Sequence, residues 1–273
     1  MDKIVSKSKK MGKFFQGSHL LLVAMTYLFL YVPIVVLLLF SFNIERFPAP
    51  WKGFTWKWYV ELFQSLYLWK AFVNSLIVAT CSTCISLVAG VLLIFYAAQG
   101  GRVGKFLGLF YGTIIVPETI LAVALLTFFT SLNVPLGMAT LILAHSVLGL
   151  GYVIPMVYAK FLELDYRLTE ASLVLGATPM QTFRKITLPM LSPTLVLVGL
   201  LVFILSFDEF ILAYFTAGSA GQTLPLYLMS MLRTGVSPVV NALSAILLLM
   251  SSIFVLIFFS LKARVKILGY DNE

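Results

Sequence analysis

Charge is what this chain has least of. Asp, Glu, Lys and Arg make up 11% of its 273 residues, against 60% apolar residues. Soluble domains carry about a quarter charged residues, so the composition places the chain in the membrane class. Cysteine is scarce too: Cys81 and Cys84 stand as C-x2-C inside an apolar run. No second Cys or His pair lies nearby, so a zinc site is not expected, and two small residues in a buried helix suit packing. The two histidines are His19, at the edge of an apolar run, and His145, in the middle of another. A mid-span imidazole suits hydrogen bonding between helices, and neither histidine has a catalytic partner in view. No G-x-x-x-x-G-K-[ST] run occurs, which excludes a P-loop ATP site. No nucleophile–base set stands out, so no catalytic residue, metal or bound cofactor is expected on this chain.

What the chain has is long apolar runs. A helix crossing the bilayer needs roughly 20 predominantly apolar residues. Runs of that kind occupy 19–42, 71–98, 106–132, 136–161, 194–215 and 241–261. The expected fold is all-α, with six transmembrane helices in one membrane domain over 19–262, and several runs long enough to tilt. A Lys-rich tail over 1–18 precedes it, and a short tail over 263–273 follows. The first run lacks a small-residue cleavage pattern and is expected to remain as the first span.

Lys and Arg set the orientation. One side collects Lys3, Lys7, Lys9, Lys10, Lys13, Arg102, Lys105, Lys160, Arg167, Arg184, Lys185, Lys262, Arg264 and Lys266. The other has only Arg46, Lys52, Lys57, Lys70 and Arg233. The richer side is cytoplasmic, which puts both termini there. The basic excess thus reflects topology and contact with anionic lipid, not nucleic-acid binding.

Between the fourth and fifth runs lies a polar island within the cytoplasmic loop 161–189. Two short helices are expected in it, over 168–175 and 179–186. Thr169 can cap the first, with Glu170 in its opening turn. Gly176 suits a left-handed C-cap, and Pro179 suits the first position of the second helix. Pro189 marks the entry to the next span. The order Glu170-Ala171-Ser172, Gly176, Ile186, Leu188-Pro189 resembles the EAA signature of permease subunits of bacterial ABC importers. Ser172 stands where the signature has a second Ala. The resemblance implies the type I importer permease fold, in which this loop is a coupling helix docking on a cytosolic ATPase.

The prolines at 33, 117 and 155 fall inside spans and are expected to kink them. The outer loop 44–69 holds Trp51, Trp56, Trp58 and Tyr59, which favour a short surface-lying helix. The last outer loop, 216–240, contains Leu224-Pro225-Leu226 and Ser230-Met231, expected to form a re-entrant or interfacial helix. Those residues, with Gly235-Val236-Ser237-Pro238, Asn241-Ala242-Leu243 and the Trp51–Phe54 and Trp58-Tyr59 stretch, resemble spermidine/putrescine importer permeases. The likeness is closest to the smaller, C-type subunit.

Three acids fall within spans: Glu118, Asp208 and Glu209. Each charge costs roughly 2.5–3.5 kcal/mol at a helix centre, and each Leu, Ile, Phe or Val returns about 0.3–0.6 kcal/mol. The fifth span therefore inserts with little to spare, which points to a water-lined face and a role. Carboxylates along a path can pair with the ammonium groups of a polyamine, and aromatic rings can hold the charge and cover the methylenes. Glu118 follows Pro117, where a break widens the path. Asp208 and Glu209 are expected about 100° apart on a helix, one facing the pathway. Corresponding positions in the resembled family are acidic, which implies a role in substrate passage. The structural alternative is pairing with Arg or Lys, or with backbone amides, at a subunit interface.

The resemblance implies a multi-pass subunit of the bacterial inner membrane that translocates polyamines. Its implied partners are a second related permease, two ATPase subunits carrying ATP and Mg, and a periplasmic polyamine-binding protein. The alternatives are a permease for another small cationic solute, or a scaffold with the same fold.

Overall fold

The computed structural model describes residues 2–45, 50–234, 238–249 and 252–253. The described residues are helical, apart from connecting loops and one isolated antiparallel bridge between Asn43 and Phe54. The chain divides into two compact units, Met1–Ser65 with Met231–Glu273, and Leu66–Ser230.

In the first unit, α1 (Asp2–Phe40) is one helix that includes the Lys-rich segment and passes through Pro33. Its stretch Leu21–Phe40 is apolar and long enough to cross a membrane. The following loop is closed by Trp58, whose indole Nε1–H donates to the Asn43 carbonyl at 2.7 Å. This leads into α2 (Lys57–Gln64), the short amphipathic helix expected in the Trp-rich loop, with Trp58 and Leu62 buried.

The second unit holds α3 (Leu66–Ala98), α4 (Gly104–Ile115), α5 (Glu118–Ser131), α6 (Met138–Leu162), α7 (Tyr166–Val174), α8 (Pro179–Thr182), α9 (Leu188–Asp208) and α10 (Ile211–Thr216). A turn of π-helix, Phe183–Thr187, joins α8 to α9. Helix α11 (Leu224–Thr234) fills the place expected for a short helix in the loop 216–240, and an apolar helix α12, in the first unit, spans Pro238–Leu249. Among the described residues four helical stretches have the length and apolarity to span a membrane, or five if the bent pair α4–α5 counts as one span. Residues 250–251 and 254–261 of the expected sixth span, 241–261, lie outside the described residues, as do the tail 263–273 and residues 235–237.

Helices α3, α6 and α9 form the centre of this unit. Their buried contacts include Ile94, Val153, Val157, Leu191, Val198 and Val202. Inside a bilayer, lipid tails are as apolar as leucine, so helices associate by close packing and polar bonds rather than by escape from water. Both devices are present. Gly149 on α6 lies so close to Ser86 of α3 and Val202 of α9 that an added methyl group would overlap them. Beside it runs a buried polar seam: Ser86 Oγ donates to the Ser146 carbonyl at 3.1 Å, and the Ser82 and Ser206 hydroxyls pair at 3.0 Å. His145 Nδ1 lies 2.8 Å from Ser206 Oγ, the interhelical bond expected of a mid-span histidine.

Three expectations are revised. The run 106–132 is not one kinked span, because α4 and α5 meet at 114°. Proline drives its preceding residue out of helical space, and here both Val116 (ψ 131°) and Pro117 (ψ 135°) are extended. Two extended residues produce a corner where one missing hydrogen bond would give a bend. Pro155, by contrast, stays within α6 and is buried. The fifth span does not begin afresh after Pro189: residues Pro179–Asp208 form one helical run. Pro189 clashes with the carbonyl four residues earlier in a regular helix. The π turn accommodates it, with the Leu188 N–H reaching back to the Phe183 carbonyl. The same span ends early, because Glu209 is extended (ψ 115°) and the chain resumes as α10.

Candidate functional site

The two broken spans bring the three membrane acids together. Glu118, Asp208 and Glu209 line one open pocket of about 450 Å³ with Ile204, Leu205, Phe210 and Ile211. Glu118 is the first residue of α5, placed by the Val116–Pro117 corner. Asp208 is the last residue of α9, and Glu209 lies in the break before α10. Helix α10 packs on α5, with Leu212 buried beside Ala122 and Phe129. The packing of the two short helices therefore sets the distance between their acids.

The adjacent acids do not sit on one helix, as their spacing suggested. Glu209 is 8% exposed, and its Oε1 accepts the Leu212 N–H at 3.0 Å. A carboxylate there satisfies one of the free amides at the start of α10 and suits the positive end of its dipole. This bond explains why the helix stops at Asp208 without a proline. Asp208 and Glu118 are exposed, and neither carboxylate makes an ion pair or hydrogen bond among the described residues. Among the described residues no Lys or Arg lines the pocket. The acids thus divide into two kinds, one buried cap and two carboxylates facing open space. Phe210 and the three aliphatic side chains of the wall were not singled out from sequence. The only signal available was their position next to the acids.

A second polar region is the hairpin of α7 and α8. Gly176 has φ +86°, the left-handed conformation expected of it. The Ala177 N–H bonds the Ser172 carbonyl at 3.1 Å and the Gly176 N–H bonds the Leu173 carbonyl at 3.0 Å, the paired pattern of a Schellman cap. Pro179 opens α8. Thr178 caps it in a reciprocal bond pair with Gln181. The start of α7 differs from expectation: Asp165, not Thr169, is the cap, accepting the Arg167 N–H at 3.0 Å. Asp165 has the extended backbone that a cap requires, whereas Thr169 is already helical.

Of the signature residues, Glu170, Ala171 and Gly176 in the hairpin are exposed and Ser172 is half-buried, while beyond it Ile186 and Leu188 are half-buried and Pro189 is exposed. Ser172 Oγ lies 2.9 Å from Thr182 Oγ1. Helix α7 buries none of its residues, and Val174 and Leu175 are each 87% exposed. An apolar tip of this kind on a short, doubly capped hairpin is suited to contact with another surface.

Comparison with known proteins agrees with this architecture. Residues 18–266 match the family model described as the binding-protein-dependent transport system inner membrane component. The chain is 36% identical over 251 residues to the spermidine/putrescine transport system permease protein PotC of Escherichia coli strain K12. That match covers 90% of this chain and 94% of the relative. It is 34% identical to PotC of Haemophilus influenzae, over 88% of this chain and 94% of that protein. Identity to the E. coli putrescine transport system permease protein PotI is 31%, over 84% and 85% of the two chains. Among solved structures, a bacterial ABC transporter involved in import of the acidic polysaccharide alginate superposes with a TM-score of 0.70. That match has 16% identity and covers 94% of this chain and 98% of the other. Inward-facing MetNI methionine transporter gives a TM-score of 0.54 at 21% identity, over 77% and 97% of the chains. These likenesses speak to the fold. With a family model spanning nearly the whole chain and relatives above 30% identity along its length, this protein belongs to the inner-membrane components of binding-protein-dependent transport systems.

Proposed function

We propose that this chain is the membrane-spanning subunit of an ATP-driven importer that carries spermidine and putrescine into the cell. One observation carries the reading: Glu118, Asp208 and Glu209 share a single pocket that, among the described residues, no Lys or Arg lines. An anionic or neutral solute gains little from such a pocket. A flexible chain of ammonium groups gains paired charges at Glu118 and Asp208. It also gains a cation–π face at Phe210 and apolar cover for its methylenes from Ile204, Leu205 and Ile211. The names of the relatives point to the same substrate class.

In this reading six spans cross the inner membrane, with 241–261 as the sixth and both termini in the cytoplasm. The α7–α8 hairpin serves as the coupling helix, and the exposed Val174 and Leu175 support its seating in a groove of a cytosolic ATPase. The working assembly adds a second related permease, two ATPase subunits that hold ATP and Mg, and a periplasmic polyamine-binding protein. Hydrolysis belongs to the ATPases. Closure of the ATPase pair moves the hairpin, and the continuous helical run Pro179–Asp208 carries that motion toward the acidic pocket. Solute released by the binding protein then passes Glu118 and Asp208.

The test is uptake of labelled spermidine and putrescine by cells expressing the neighbouring transport genes with and without this subunit. Uptake that requires the subunit, and is lost in Glu118→Gln while the complex assembles, is the expected result. A complex that hydrolyses ATP but moves no polyamine discards the substrate and leaves the permease.

A further inference from the structure

The pocket is held from two sides of Asp208. On one side Glu209 caps α10. On the other, two residues before Asp208, Ser206 is fixed by His145 of α6 at 2.8 Å and by Ser82 of α3 at 3.0 Å. His145 is 1% exposed and Ser206 4%. The Ser82 hydroxyl also lies 3.2 Å from the Ala79 carbonyl, so the chain of bonds ends on backbone and does not run to solvent. The other imidazole nitrogen, Nε2, is buried with no partner among the described residues. The His145 ring borders a narrow space with Leu148, Tyr152, Val202 and Leu205. Leu205 also lines the acidic pocket, so the ring and the pocket share a wall.

Burying an imidazole between helices costs desolvation that an apolar side chain of similar size avoids. Among the described residues the hydrogen bond that His145 makes in return is to Ser206, and what that bond holds is the last turn of α9. Helix ends fray readily where their carbonyls lack partners. Asp208 is the terminal residue, and its carboxylate makes no hydrogen bond or ion pair among the described residues.

We propose that His145 is a positioning residue. Through Ser206 it pins the last turn of α9, so that the Asp208 carboxylate is presented to the pocket opposite Glu118. The consequence for transport rests on the polyamine reading above. The positional claim does not.

Two measurements test it. In a Cys81→Ala/Cys84→Ala background, Asp208→Cys reports the position of the turn by its rate of maleimide labelling. His145→Phe keeps a ring and removes the bond, and should change that rate several-fold. His145→Asn, whose amide can replace Nδ1, should return it toward the parent. Ser206→Ala cuts the same link from the other end, and decides the matter if the Phe variant fails to assemble. An unchanged labelling rate in the bond-cutting variants overturns the proposal.

In labelled spermidine uptake, His145→Phe should raise apparent KM by about tenfold, equivalent to about 1.4 kcal/mol, with little change in maximal rate. The same change should add nothing in an Asp208→Asn background, because residues acting through one another are not additive. Losses that multiply in the double variant mean that His145 acts elsewhere, and overturn it. A parent transporter with no polyamine uptake removes the substrate reading, while labelling still decides whether the seam positions Asp208.

Discussion

The Ser172 hydroxyl lies 2.9 Å from the Thr182 hydroxyl, bridging the two helices of the α7–α8 hairpin. Ser172 is the one position where the signature of this loop departs from Glu-Ala-Ala, and the departure adds a bond. Thr182 is 3% exposed, so Ser172→Ala leaves a buried hydroxyl without this partner, at about 1–3 kcal/mol. The double variant Ser172→Ala/Thr182→Val removes both groups and should cost less than Ser172→Ala alone. Amide hydrogen exchange across α7 and α8 measures both. Equal protection in parent and Ser172→Ala shows that the bond contributes nothing.

Gly176 makes a second prediction. An added Cβ there meets no atom within 4 Å, but φ is +86°. Gly176→Ala should therefore lose about 1–2 kcal/mol through the backbone alone, and Gly176→Asn less, because Asn tolerates left-handed geometry. Gly176→Asp adds a charge beside the apolar tip. We expect it to insert in the membrane normally but to uncouple ATP hydrolysis from uptake. Normal uptake with Gly176→Asp removes the docking role assigned to the hairpin.

The acids should separate by role. Asp208→Asn removes an exposed charge and is expected to reduce uptake far more than yield of assembled complex. Glu209→Ala removes the acceptor of the Leu212 N–H and should cost about 0.5–2 kcal/mol, as loss of a helix cap does. Its signature is reduced yield and thermal stability. Glu209→Gln keeps a carbonyl acceptor and should recover most of that stability. If Asp208→Asn lowers yield in step with uptake, Asp208 is structural.

Gly149 sets the approach of three helices. Gly149→Val forces bulk between Ser86 and Val202, and overpacking of this kind costs typically 1–3 kcal/mol. Thermal unfolding in detergent should show the loss. Gly112, around which an added Cβ meets nothing, is the control: Gly112→Ala should be neutral or slightly stabilising, because alanine suits a helix better.

Much of this protein is legible without coordinates, and the reason is the solvent. A bilayer requires backbone groups to be satisfied within each segment, so the long apolar runs were expected to be helical, and among the described residues they are, apart from the breaks at Val116–Pro117 and Glu209. The polar loop was equally readable: Gly176 takes a left-handed conformation that glycine adopts cheaply, and Pro179 takes the first helical position, which its fixed φ suits. The cap of α7 was misassigned to Thr169, because the choice among nearby polar residues depends on which of them is extended, and Asp165 is.

Residue types alone determined that the chain is a helical membrane protein, that three acids stand in apolar surroundings, and that a polar hairpin turns at Gly176 and Pro179. These follow from transfer free energies and local backbone preferences, which act over a few residues. Only the tertiary structure decided that the acids share one pocket, that Glu209 is a cap while Asp208 faces open space, and that His145 reaches Ser206. Those facts depend on breaks at Pro117 and Glu209 and on the packing of α10 against α5. Such contacts join residues about ninety positions apart, and no local pattern specifies which of two adjacent carboxylates will find an amide to bind.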